Sequence, residues 1–122
     1  MDKLDFDLMV ARRYISKRYN AEKAGKEFSL TLSQFRKLFN RKYCAYTGRE
    51  MHLIAEDSKT DPLYATIERI DSGKGYVEGN VTLVCQFINA LKGHLENDED
   101  EAYGNLKDIK GMVKYLTNHK TI

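Results

Sequence analysis

The sequence predicts an α+β protein in which two short strands lie between helices. Apolar residues recur at helical spacing near both ends of the chain. Two segments with a high content of β-branched residues, 65–70 and 81–84, flank a glycine-containing loop, and helical spacing resumes after the second one. The expected order is two N-terminal helices, two antiparallel strands followed by a helix, and one C-terminal helix.

Composition indicates a single globular domain over residues 1–122. The chain is 42% hydrophobic and 31% charged, and it contains one proline. We expect a helical N-terminal part over 1–42, a core over 43–95 and a C-terminal helix within 96–122.

The sequence also predicts a protein of the cytoplasm, or of the host cytoplasm if a phage encodes it. No apolar run reaches the roughly 18 residues that a membrane span requires, so no membrane partner is expected. The acidic segment 1–7 lacks the apolar core of a signal peptide.

The first helix is predicted over residues 4–19. Its apolar positions share one face, at Leu4, Leu8, Ala11 and Ile15. Gly25 is the expected stop.

The second helix has local signals at its start. Thr31 can cap it, and Gln34 stands three residues later, as a capping box requires. Leu30 and Phe35 have the spacing of a hydrophobic staple, and Phe35, Leu38 and Phe39 form a short buried face.

Two further helices follow the strands. The first is indicated by Ile88, Leu91 and Leu95. The last is predicted over about 102–118, with one apolar face that comprises Leu106, Ile109, Val113 and Leu116.

Charge is distributed unevenly, although the net charge is only +2. Basic residues concentrate between 12 and 42, at Arg12, Arg13, Lys17, Arg18, Lys23, Lys26, Arg36, Lys37, Arg41 and Lys42. This segment either faces phosphates or forms the solvated faces of two helices. The acidic run at 96–101 is expected to be a solvated linker.

The stretch 65–93 carries a family resemblance. It contains Glu68 followed by Arg69 on the first strand, Asn80 at the start of the second strand, and Asn89 and Lys92 on the helix. With the nine residues from Asn80 to Asn89, this pattern resembles the HNH family of His-Me finger nucleases. The resemblance implies a ββα-metal core, and the turn at 44–48 is similar to one that precedes this core in many members.

The resemblance implies a role for each of these residues. Glu68 and Asn89 would hold Mg²⁺ or Mn²⁺ through oxygen atoms, which are the ligands that such hard cations prefer. Asn80 would bond across the loop and orient the catalytic base, and Lys92 would hold a phosphate.

Arg69 stands where the family has its catalytic histidine. Arginine cannot be deprotonated at working pH, so it cannot act as a general base, although it can bind a phosphate. Other groups that could activate water are Asp71, Tyr76, His52 and His94.

The resemblance therefore predicts a metal-dependent endonuclease that hydrolyses phosphodiester bonds in DNA, of a type found in phages. The alternative is a catalytically inactive HNH-fold protein that binds nucleic acid or a host protein as a phage regulator or inhibitor. A structural domain without a nucleic-acid role is a third hypothesis.

The two cysteines, Cys44 and Cys85, allow two interpretations. The favoured one is a pair of buried free thiols near each other. The alternative is zinc, but two thiolates do not complete a tetrahedral structural site.

Overall fold

The computed structural model describes residues 1–96 and 104–119. Along these residues the chain forms four helices and one two-stranded antiparallel sheet, so the predicted α+β class is confirmed. The helices are α1 (Lys3–Lys23), α2 (Leu32–Leu38), α3 (Gln86–Leu95) and α4 (Leu106–Asn118), and the strands are β1 (Ala65–Arg69) and β2 (Val81–Cys85).

The chain divides into two compact units, Met1–Gln86 and Phe87–Ile122. The first contains α1, α2 and both strands. The predicted single domain over 1–122 stays a prediction. Within the described parts of both units, no helix has the length and apolar content that crossing a membrane requires.

Helix α1 forms where the sequence predicts a helix, but it buries a different face. Its first turn is capped by Asp2, whose carboxylate accepts a hydrogen bond from the backbone of Asp5 at 2.8 Å. Leu4 and Ile15 of the predicted apolar stripe are exposed, whereas Val10 is buried. The predicted face is therefore not the packing face.

Aromatic contacts explain which face of α1 packs. The Tyr14 ring meets Phe28 and Phe35 edge-on, with ring centroids 5.5 and 5.3 Å apart. Its hydroxyl donates to the carbonyl oxygen of Leu30 at 2.6 Å. These aromatic contacts and the satisfied hydroxyl place Tyr14 on the packing face and so orient the helix.

The capping box of α2 is confirmed. The Thr31 hydroxyl accepts from the backbone of Gln34 at 3.1 Å, and the Gln34 side chain accepts from the backbone of Thr31 at 2.9 Å. Phe35 on this helix is fully buried. Local chemistry therefore defines the start of α2, and burial of Phe35 fixes its inward face.

Strands β1 and β2 form a hairpin in a single register. Ala65 pairs with Cys85, Ile67 with Leu83, and Arg69 with Val81. The first strand ends one residue earlier and the second one residue later than predicted.

Helix α4 begins later than predicted. Gly104 has a φ of +80°, outside the helical region, and Asn105 is the cap. The Asn105 side chain accepts from the backbone of Asp108 at 3.1 Å, and that aspartate accepts in return. Residues 97–103, which include most of the predicted acidic linker, lie outside the described residues.

Candidate functional site

Glu68, the first predicted metal ligand, lies on β1 opposite Thr82. It is 8% exposed, one of two buried polar residues in the described chain. Burial of a carboxylate carries a large desolvation cost unless partners compensate it. Its low exposure therefore distinguishes Glu68 from an ordinary surface residue of a strand.

Arg69 follows on β1 and interacts with the loop that joins the strands, residues 70–80, here called the hairpin loop. Its Nη1 donates to the carbonyl oxygens of Ser72 at 2.8 Å and Lys74 at 3.0 Å. Its guanidinium carbon lies 5.4 Å from the centre of the Tyr76 ring, which is within cation–π range. Arg69 thus shapes the hairpin loop in a way that the sequence did not reveal.

Asn80, the other buried polar residue, braces the hairpin loop from inside. Its side-chain oxygen accepts from the backbone of Asp71 at 2.9 Å. Its amide group donates to the carbonyl oxygens of Asp71 at 3.1 Å and Gly75 at 2.9 Å. The structure therefore shows an asparagine bonded across the loop beside Glu68 and Arg69, while its predicted part in catalysis stays a prediction.

Asn89 and Lys92 lie on α3 in the second unit. Three residues apart, they share one face of this helix. The Lys92 ammonium forms an ion pair with Glu96 at 2.7 Å. The predicted pairing of Glu68 with Asn89 stays a prediction.

The donors suggested for a metal are of the right chemical type for Mg²⁺. Glu68 offers a carboxylate and Asn89 an amide oxygen, and Mg²⁺ sites often use one or two carboxylates completed by waters and phosphates. Among the described residues, no group of three or more His, Cys, Asp or Glu side chains is arranged to hold a metal. Each of these two donors, taken by its chemistry, suits a magnesium ion that keeps most of its waters.

Two of the alternative bases have structural contacts in the hairpin loop. The Asp71 carboxylate accepts from the backbone of Gly73 at 2.9 Å, which closes a tight turn. Tyr76 is 8% exposed, and its ring contacts the cations of Arg69 and Lys17. Tyr76 is therefore not presented to solvent as a general base requires, whereas Asp71 is exposed and stays a candidate.

His52 is oriented by a carboxylate, an arrangement that the sequence did not predict. Its Nδ1 lies 2.8 Å from Asp61 Oδ2. The hydrogen bond to His52 lowers the pKa of Asp61 below its ordinary value. His52 also pairs through its backbone with residues 63 and 65 at the start of β1. Arg69 lies four residues beyond Ala65, roughly 13 Å at the rise of a strand, so His52 is remote from the predicted base position. His94, the fourth alternative base, is an exposed residue of α3 in the second unit.

The two cysteines are buried, free and close together. The backbone amide of Cys85 donates to the sulfur of Cys44 at 3.3 Å, so the favoured interpretation of neighbouring thiols is confirmed. Burial raises the pKa of Cys44, but hydrogen bonds from Thr47 and from backbone amides outweigh that effect and lower it to about 7. Burial raises the pKa of Cys85.

Arg13 is a buried cation that sequence reasoning did not single out. Its guanidinium carbon lies 4.9 Å from the centre of the Phe39 ring and 4.7 Å from that of Tyr64. Nη2 donates to the carbonyl oxygen of Ala65. Burial lowers the pKa of this guanidinium. The sequence contained one signal for its burial, since Arg13 lies at helical spacing between Val10 and Lys17.

Comparison with known proteins yields one similarity and no family assignment. No protein-family model matches the chain, and no solved structure matches it. The chain is 26% identical over 90 residues to the "Uncharacterized 29.0 kDa protein in dda-modA intergenic region" of Enterobacteria phage T4. The match covers 74% of this chain but only 34% of the phage protein. A phage-type relative is therefore shown, whereas an HNH family membership is not.

Proposed function

We propose that this protein is a phage-type, metal-dependent endonuclease of HNH character that hydrolyses phosphodiester bonds in DNA. The observation that carries the proposal is the hairpin itself. A buried Glu68 stands on β1, and Asn80 braces the adjoining loop with three side-chain hydrogen bonds. The similarity to a phage T4 protein supports the phage setting.

In this proposal Glu68 and Asn89 hold the metal. A divalent cation bound there supplies stabilisation of negative charge on the leaving phosphate oxygen. Asn80 keeps the hairpin loop in one conformation, and Lys92 binds a phosphate on the substrate.

Arg69 has two roles in the proposal. Its two hydrogen bonds to loop carbonyls hold the hairpin loop. It also lines a surface cleft of about 480 Å³ together with Lys26 and Lys74. A phosphate entering this cleft would meet three cationic side chains and one carboxylate, that of Glu27. Arg69 is thus a phosphate-binding residue in the proposal and not a base.

A second function is favoured by the same contacts of Arg69. An arginine used to hold a loop supplies no base, so the protein could keep the fold and bind nucleic acid or a host protein without cleaving. The two functions differ in one respect that is easy to measure, namely nicking of DNA.

Substitutions of Arg69 separate the two functions. Nicking of supercoiled plasmid is measured with Mg²⁺ for wild type, Arg69→Ala and Arg69→His. For a nuclease, Arg69→Ala lowers activity, and Arg69→His raises it, because general-base assistance is commonly worth about 10²–10⁴-fold. Unchanged activity in Arg69→Ala contradicts the phosphate-binding role. An inactive wild type with no gain from Arg69→His identifies a non-catalytic binding protein.

A further inference from the structure

A cationic surface cleft lies between α1 and β1, within the first unit. Its volume is about 410 Å³. Arg12, Arg13 and Lys17 line it from the helix, and Thr66 lines it from the strand. None of the described residues that line it is acidic, so three positive charges face one space without a carboxylate.

Three other cations of the basic segment are paired with carboxylates. Arg18 and Arg36 form ion pairs with carboxylates at 3.1 and 2.9 Å, and Lys42 does so at 3.3 Å. Within residues 1–96 and 104–119, no carboxylate lies at ion-pair distance from the three cleft cations. The cleft therefore holds three cations that no carboxylate of the described residues pairs with.

Arg13 is a preorganised donor at the inner wall of the cleft. Its guanidinium lies within cation–π range of the rings of Phe39 and Tyr64, and the hydrogen bond to Ala65 restricts its rotation. Its Nη1 is buried and has no hydrogen-bond partner among the described residues. A buried donor of this kind is stabilised by an acceptor oxygen, and a guanidinium suits the oxygens of a phosphate.

Lys17 connects the cleft to the hairpin loop through its contact with the buried Tyr76. The ammonium of Lys17 lies 5.0 Å from the centre of that ring, and the guanidinium carbon of Arg69 lies 5.4 Å from it. Arg69 is therefore a fourth cation near the cleft, beside the same ring as Lys17. Four cations spread over a helix and a loop fit a polymer of phosphates better than a small anion.

We propose that this cleft binds the phosphate backbone of DNA, with Arg13 as the inner donor and with Arg12 and Lys17 at the rim. The inference deepens the proposed function, on which it rests for the choice of DNA as ligand. The proposed binding does not require cleavage. It places the DNA backbone against α1, outside the segment that forms β1, β2 and α3.

The test compares two double variants of α1 that remove the same charge. Arg12→Gln/Lys17→Gln alters the cleft, and Arg18→Gln/Lys23→Gln is the control on the same helix. Binding of a fluorescent DNA duplex is followed by anisotropy in EDTA, so that no cleavage occurs. Circular dichroism checks that each variant folds. If the cleft double variant does not fold, Arg12→Gln alone replaces it, with about half the expected change in salt dependence.

The expected result is a change in salt dependence. Each lost phosphate contact reduces the slope of log affinity against log salt by about 0.9, so two lost contacts reduce it by about 1.8. Between about 50 and about 200 mM salt, wild type should then lose about 12-fold more affinity than the cleft variant. The control variant should keep a slope nearer that of wild type.

Three results overturn the proposal. One is equal slopes in the two double variants, which would mean that only net charge matters. Another is a wild type that does not bind DNA. The third is displacement of DNA by inorganic phosphate at constant ionic strength, which would identify a small-anion site.

Failure of the cleft and failure of the nuclease remain distinguishable. If plasmid nicking is absent but the slopes differ as expected, the cleft stands and the nuclease proposal falls. If nicking occurs and the cleft variant binds like the control, the cleft proposal falls alone.

Discussion

Removal of the Asn80 side chain should destabilise the first unit substantially. Asn80 is 7% exposed and makes three side-chain hydrogen bonds to the backbone of the hairpin loop. A typical intramolecular hydrogen bond contributes about 0.5–1.5 kcal/mol net, so Asn80→Ala should lower the free energy of unfolding by about 3 kcal/mol. Against a usual total of about 5–15 kcal/mol this is a large fraction.

Asn80→Asp sharpens the prediction. An aspartate can still accept from the backbone of Asp71, but it would place a carboxylate oxygen against two carbonyl oxygens to which the amide now donates. We therefore expect a loss at least as large as in Asn80→Ala at neutral pH, and a smaller loss when acid protonates the new carboxyl group.

The measurement is urea unfolding followed by circular dichroism. Asn40→Ala, an exposed asparagine in the turn after α2, is the matched control and should change stability by no more than about 0.5 kcal/mol. If Asn80→Ala costs no more than this control, Asn80 does not brace the loop and the reasoning about the hairpin is wrong.

Three further predictions test other parts of the structure. Gly75→Ala should destabilise the protein by about 1–3 kcal/mol, because the new Cβ would lie 2.6 Å from the carbonyl oxygen of Glu27. Gly111 has open space around it, so Gly111→Ala should stabilise α4 by up to about 1 kcal/mol in the same unfolding assay. The Cys44 thiol should titrate near pH 7, as followed by the ultraviolet absorbance of its thiolate, and Cys44→Ser should abolish that transition. A transition only near the ordinary thiol pKa would show that hydrogen bonds do not stabilise the Cys44 thiolate. Because the pKa of Asp61 is lowered, its contribution to stability is complete above the ordinary carboxyl pKa and is lost as pH falls through the lowered pKa. The difference in urea midpoint between wild type and Asp61→Asn should therefore shrink in acid; a constant difference would contradict this contribution.

Elements of the fold with local signals were predictable from the sequence. The capping box at Thr31 and Gln34 involves residues three apart, so its chemistry can be read without tertiary information. The strands were placed to within one residue at their ends, because β-branched residues cluster there and glycines interrupt the loop.

The packing face of α1 was not predictable in the same way. Two apolar stripes compete on that helix, and the leucine stripe is the more regular one in sequence. The face that packs contains Val10 and Tyr14 together with the cation Arg13, which aromatic rings cover. Tertiary contacts of Tyr14 decided between the stripes, and these depend on residues distant in sequence.

The candidate site was predictable only in part. The resemblance directed attention to Asn80, and the structure shows its bonds across the loop. The resemblance did not reveal that Arg69 holds the same loop. Every residue has a backbone carbonyl, so the sequence does not indicate which carbonyls accept the bonds of Arg69. The pairing of His52 with Asp61 could not be predicted either, because they lie nine positions apart along an irregular segment.

The most direct test of the central claim is metal-dependent nicking of supercoiled plasmid by wild type and Glu68→Gln. Glu56→Gln, the same chemical change at an exposed residue, is the control. We predict nicking by wild type and by Glu56→Gln with Mg²⁺, none with EDTA, and a loss of at least about tenfold in Glu68→Gln, since it weakens a metal ligand. Equal nicking by wild type and Glu68→Gln, or nicking that persists in EDTA, would contradict the account.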